Sequence, residues 1–174
     1  MSEDKEPTAA PEEILVVDDT PANLRLLSDL LTQHGYRIRP ATDGALALKS
    51  VAAKASDLIL LDVNMPGMDG YEVCRRLKAE EKSSRIPVIF ISAFGDTRQK
   101  VLGFEAGGID YITKPFEAEE VLARVRTHLR LRQAEEALRH AHDTLELRVK
   151  ERTAELEASN QALRESEERA RRAF

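Results

Sequence analysis

A single cysteine, Cys74, leaves no partner for an internal disulfide, and we read it as an ordinary semi-buried thiol on the third helix with no redox role. The histidines, His34, His128, His140 and His142, are scattered without the spacing of a metal site. No apolar run is long enough to cross a bilayer, and the start, Met-Ser-Glu-Asp-Lys-Glu-Pro, has neither the basic nor the apolar region of an export signal. We therefore expect a cytoplasmic chain with no membrane partner, opening on a disordered leader over residues 1–12. Basic residues are interleaved with acids and no helix-turn-helix pattern follows, so no nucleic acid is expected as partner. Glycine and proline vanish altogether after Glu117, which excludes a second turn-rich domain there.

What is present is a set of short, continuous apolar runs that end in polar residues. Ile14 to Val17 ends at Asp18 and Asp19, Leu58 to Leu61 at Asp62, Val88 to Ile91 at Ser92, and Tyr111 to Thr113 at Lys114. Runs without polar alternation are those of strands covered on both faces, as in a parallel sheet between helices. In such sheets ligands bind beyond the carboxyl ends of the strands. Residues distant in sequence then converge on one pocket.

Three crowded carboxylates stay ionised at neutral pH only beside strong positive charge. An all-oxygen donor set without His or Cys suits the hard ion Mg2+ and disfavours zinc. Lys114 adds a compact ammonium for a carboxylate or phosphoryl oxygen, and the Ser92 hydroxyl is a donor to the same phosphoryl group. One aspartate could then be a nucleophile. Taken singly, Asp62 would be a helix cap, Ser92 a turn former and Tyr111 a half-buried packing residue; only the constellation carries the chemistry. Thr20-Pro21 reads as an N-cap and first helical position and Gly35 as the matching stop, while Pro66, Gly67 and Gly70 mark a tight loop after Asp62.

Val-Asp-Asp at 17–19, Leu-Asp-Val-Asn-Met-Pro-Gly-Met-Asp-Gly at 61–70, Ile-Ser-Ala at 91–93 and Tyr-Ile-Thr-Lys-Pro-Phe at 111–116 resemble the receiver domain of two-component response regulators. The resemblance implies a doubly wound, flavodoxin-like α/β fold with a five-stranded parallel sheet in the order 2-1-3-4-5. It implies that Asp62 accepts a phosphoryl group from a sensor histidine kinase or histidine phosphotransfer protein, as a signalling domain rather than an enzyme. It also implies that Asp19, Asp62 and the Asn64 main-chain carbonyl ligate Mg2+, with Asp18 acting partly through water on the metal. Lys114 would hold the phosphoryl group, Ser92 would turn towards it, Tyr111 would move inward behind it, and Pro115 would follow a cis peptide. Phe94, bulky and two residues past Ser92, is expected to shield the phosphate from water. The alternatives are an Mg2+-dependent phosphohydrolase with an aspartyl-phosphate intermediate, disfavoured by Asn64 where a second acid would stand, and a coiled-coil scaffold with a vestigial receiver.

We place the receiver at 13–128 and a helical coiled-coil linker at 129–174. Leu131, Leu138 and Leu145 repeat by seven, as do Val149, Leu156, Leu163 and Ala170, and a step of four joins the two series as a stutter would. We expect a parallel homodimer through this stripe. Leu145 to Leu156 and Glu165 to Phe174 resemble the linkers before sensor or kinase modules, the last ten residues resembling the opening of a PAS domain. That similarity implies the amino-terminal part of a larger signalling protein such as a receiver-containing histidine kinase.

Overall fold

The computed structural model describes residues 10–93 and 97–173. In chain order it contains β1 (Glu13–Val17), α1 (Pro21–Gln33), β2 (Arg37–Ala41), α2 (Gly44–Ala53), β3 (Leu58–Asp62), α3 (Gly70–Ala79), β4 (Val88–Ser92), α4 (Thr97–Glu105), β5 (Asp110–Thr113) and α5 (Ala118–Arg172). The strands form one parallel sheet in the order β2-β1-β3-β4-β5. The expected five-stranded fold and the long C-terminal helix are both present.

Successive strand residues point to opposite faces, and the core divides accordingly. Leu15, Val17, Ile59, Leu61, Val88, Phe90 and Tyr111 pack with Val51, Val73, Cys74 and Leu77 of α2 and α3. Ile14, Val16, Leu58, Leu60, Ile89, Ile91 and Ile112 pack on the other face with Leu24, Leu27 and Leu31 of α1 and Val121, Val125 and Leu129 of α5. Burial on both faces is why these runs are apolar throughout. β2 is different: it is an edge strand, partly exposed, with Arg37 and Arg39 alternating with apolar residues and with Pro40 near its end, a residue tolerated in a sheet only where its missing N–H is not needed.

The helices start and stop for local reasons. Asp43 and Asp69 accept N–H bonds from Leu46 and Glu72, 2.8 Å each, and so cap α2 and α3. Gly35, at φ +89°, carries the chain out of α1 as expected. Thr20 occupies the N-cap of α1, yet its side chain makes no capping bond; the Asp18 carboxylate takes the Thr20 N–H instead, at 2.8 Å.

The chain divides into two compact units after Arg130. In the first, α5 buries Val121, Leu122, Val125 and Leu129, and Arg124 and His128 hold Asp110 at 2.6 and 2.8 Å. In the second, the helix from His140 to Arg172 is exposed throughout. No helix among the described residues is long and apolar enough to cross a membrane.

Cys74 corrects the semi-buried expectation, because it is fully buried in the α3 face of the core. Burial pushes its thiol from 9.0 up to about 11, which leaves on the order of a hundredfold less thiolate at neutral pH. We expect the native protein to resist maleimide at pH 7 and to label promptly in denaturant. Equal labelling rates in the two conditions would contradict this packing.

Candidate functional site

Strand register brings the polar run-ends to one sheet edge. Asp62 pairs with Ile91, so Ser92 lies one step beyond it on the neighbouring strand, and Ser92 in turn pairs with Thr113, the residue before Lys114. Val17 pairs with Leu61, which sets Asp18 beside Asp62. The carboxylates of Asp18, Asp19 and Asp62 then offer oxygens all within 4.8 Å of one another.

These acids are not equivalent. Asp18 and Asp62 are buried whereas Asp19 is exposed. The Lys114 ammonium lies between the buried two, 2.9 Å from Asp18 and 3.2 Å from Asp62. Asp18 also accepts from Thr20 N–H at 2.8 Å and from Asn23 Nδ2 at 3.2 Å, so its oxygens are well occupied. Among the described residues, Asp62 has besides Lys114 only a long bond from the Asn64 N–H, 3.4 Å. Burial, and next the charge of Asp18, raise the Asp62 carboxyl above its ordinary range, and Lys114 and Asn64 offset this in part. Burial opposes the Lys114 charge, but Asp18 and Asp62 outweigh it and hold the ammonium above its usual range.

The loop after β3 is built around this edge. Gly70 opens α3 directly against the end of β3, and a Cβ there would lie 2.9 Å from Val63 Cα and collide with the Asp62 carbonyl oxygen. No side chain fits. The Lys114–Pro115 peptide is cis, and the Lys114 N–H donates to the Ser92 carbonyl at 2.7 Å.

Ser92 is buried, and its hydroxyl donates to Gln99 Oε1 at 3.2 Å. Tyr111, expected to move inward, is already inward, with 6% exposure. Its hydroxyl donates to the Gln99 main-chain carbonyl at 2.6 Å and sits 2.8 Å from the Tyr71 hydroxyl. Phe94 lies outside the described residues. Tyr71, Gln99 and Gly103 were not singled out from sequence; a glycine inside a helix is the one signal that could have drawn attention to Gly103.

An all-oxygen, acid-rich pocket suits a hard divalent cation. Asp18, Asp19 and Asp62 are the side chains that could hold Mg2+, and their separation fits a single ion. With the ammonium of Lys114 they provide charge neutralisation for a phosphoryl group beside a buried carboxylate.

Comparison with known proteins points the same way. Residues 14–126 match the response regulator receiver domain family. The chain is 39% identical over 150 residues to a probable cyclic di-GMP phosphodiesterase of Vibrio cholerae, a match covering 86% of this chain and 34% of that protein. It is 44% identical over 117 residues to the DNA-binding dual master transcriptional regulator RpaA of a Synechocystis species, covering 67% of this chain and 48% of that one. The chain thus spans between a third and a half of these curated relatives. Among solved structures it is similar to the receiver domain of a sensor histidine kinase of Pseudomonas aeruginosa with a magnesium ion coordinated in its active site cleft: TM-score 0.65, 32% identity, covering 69% of this chain and 98% of that one.

The raised carboxyl of Asp62 has a consequence for stability. Folding favours its protonated form, so the destabilising contribution is absent below the ordinary value of 3.8, grows as pH rises towards the higher folded-state value, and is fully present above that. Asp62→Asn is expected to raise the Tm by a few degrees at pH 7 in metal-free buffer, and to narrow the gain on acidification. A lower Tm for the variant at pH 7 would show instead that the Lys114 contact dominates.

Proposed function

Because the chain belongs to the response regulator receiver family, whose members take phosphoryl groups from histidine kinases and bind Mg2+ at an acidic pocket, we propose that Asp62 is its phosphoryl acceptor. The observation that carries this is the position of Asp62: buried at the end of β3, beside the acid pair, and 3.2 Å from Lys114. Asp18 is already committed to Thr20, Asn23 and Lys114, and Asp19 is exposed. Asp62 has the least occupied carboxylate of the buried two.

In the transfer, an Asp62 oxygen attacks the phosphorus of a phosphohistidine in line. The new O–P bond forms as the N–P bond breaks, and the electron pair leaves with the partner's imidazole. Lys114 pairs with a phosphoryl oxygen, drawn from its present place between Asp18 and Asp62. Ser92, one strand over, turns its hydroxyl from Gln99 to another phosphoryl oxygen. The Asp18, Asp19 and Asp62 carboxylates with the Asn64 main-chain carbonyl would hold Mg2+, which supplies further neutralisation of the clustered negative charge when bound. Tyr111, already inward behind the site, keeps that place through the transfer.

The output runs through α5. Leu131, Leu138, Leu145, Val149, Leu156 and Leu163 are each more than half exposed, and a long helix leaving such a stripe in water gains by covering it. A second copy, aligned in parallel, presents the same heptad positions. We assign the helix no nucleic-acid contact: its basic residues are interleaved with acids, and Arg132 and Arg152 pair with Glu136 and Glu155, 2.9 Å each. The similarity to the Vibrio protein extends over 150 residues, beyond the receiver, which supports a helix that passes the receiver's state to an output module. A histidine kinase and a cyclic di-GMP phosphodiesterase are both outputs that such a rod would serve.

Incubation with Mg2+ and an acyl phosphate, followed by intact mass, is expected to show one added phosphoryl group on the native chain and none on Asp62→Ala; a gain on the variant would remove Asp62 from its role. Light scattering is expected to give twice the chain mass for the native protein and a monomer for Leu138→Lys with Leu156→Lys. A monomeric native chain would end the dimer reading.

A further inference from the structure

One residue of α4 touches both halves of the apparatus behind the site. The side-chain oxygen of Gln99 accepts from the Ser92 hydroxyl at 3.2 Å. Its main-chain carbonyl accepts from Tyr111 at 2.6 Å and lies 3.0 Å from the Tyr71 hydroxyl. The two tyrosine oxygens are 2.8 Å apart. Each hydroxyl has one proton to give, so the short Tyr111 bond goes to the carbonyl and Tyr71 divides its proton between that carbonyl and the Tyr111 oxygen. Tyr71 comes from the start of α3, Gln99 from the first turns of α4, and Tyr111 from β5.

The surroundings leave this cluster little freedom. Phe90 stands between the rings, with centroids 5.3 Å from both Tyr71 and Tyr111. Phe104 of α4 meets the Tyr111 ring edge-on at 6.1 Å. Gly103, one turn along α4 from Gln99, provides the space that the Tyr111 ring occupies: a Cβ there would lie 2.5 Å from Cε2 and 2.8 Å from Cζ. The inward tyrosine therefore uses the space left by a glycine at 103 and the main-chain acceptor of residue 99.

We propose that Gln99 is the joint of the switch: its side chain reads whether the Ser92 hydroxyl is turned to Gln99 or to a phosphoryl group, and its carbonyl transmits the answer to Tyr111 and Tyr71. This rests on Asp62 as the phosphoryl acceptor. When Ser92 turns to the new phosphoryl oxygens, the Gln99 amide loses that donor while its main-chain carbonyl keeps the two tyrosine hydroxyls. Tyr71 is thus a positioning residue that keeps α4 tied to α3 while its tie to β4 is exchanged. Phosphorylation then changes the freedom of α4 without expelling Tyr111.

Two variants separate the halves of the joint. Gln99→Met keeps the length of the side chain and the main-chain carbonyl but removes the acceptor for Ser92; Tyr71→Phe removes one hydroxyl and keeps the ring against Phe90. Hydrogen–deuterium exchange of the Thr97–Glu105 amides is the readout, first on unmodified protein and then after Mg2+ and acyl phosphate, with intact mass taken on the same samples. In unmodified protein both variants are expected to exchange several-fold faster than native over α4 and unchanged over α1; native-like α4 exchange in both would overturn the joint. After phosphodonor, Gln99→Met is expected to gain the phosphoryl group as native does, yet to lose at least half of the native phosphorylation-dependent change in α4. The full native change in Gln99→Met would overturn the coupling, whatever the mass. No mass gain on native protein would refute the Asp62 reading and with it the coupling, whereas the unmodified-state comparison judges the latch separately.

Discussion

Lys114 between Asp18 and Asp62 is the contact on which the site turns. Two buried carboxylates at the end of adjacent strands repel each other and resist desolvation, and without a cation one of them would take a proton. The ammonium at 2.9 and 3.2 Å lets both be present in one pocket. It does so incompletely, since the Asp62 carboxyl is still raised. A buried, under-compensated carboxylate is a poor structural choice and a good place for a reaction that brings in a cation and a phosphoryl group. The exposed Asp19 adds ligand charge at the mouth, where hydration keeps its cost low.

Everything else at this edge serves to hold those charges in place. The parallel register sets the depth at which each strand delivers its terminal residue. Gly70 allows the following helix to begin against the Asp62 carbonyl, so the Asp62 carboxylate is carried by rigid sheet rather than by loop. The two hydrophobic layers tie the sheet to the helices: α1 and α5 cover one face, α2 and α3 the other. Tyr111 belongs to both worlds, being a member of the core layer and a hydrogen-bond partner of α4. Ser92 and Tyr111 each give a hydrogen bond to one glutamine of a surface helix, the route by which the proposed switch would reach it.

The long helix follows a different logic. Up to Leu129 its buried residues are spent on the receiver core; beyond Arg130 the leucines face solvent among charged, small and polar residues. Such a stripe has value only when something covers it. In the dimer proposed above, the shift in heptad phase between Leu145 and Val149 would let the covering change register, since neither series alone fixes a single one.

Much of this was legible in the chain itself. Ile14–Val17, Leu58–Leu61 and Val88–Ile91 announce buried strands because burial on both faces demands unbroken apolar runs, and Gly35 ends α1 because only glycine takes that backbone conformation cheaply. The acid, serine and lysine run-ends identified the pocket, and their likeness to a known family supplied the strand order. β2 could not be read as a run, because an edge strand with Pro40 owes its place to pairing with β1 rather than to its own hydrophobicity. Nor could sequence show that Asp18 is buried and its neighbour Asp19 exposed, that Cys74 is wholly enclosed, or that Tyr71 and Tyr111 meet across forty positions. Local pattern records what each segment must bury; which side chains share a proton or an ammonium is decided only when the sheet brings separate strands and helices within a few ångströms.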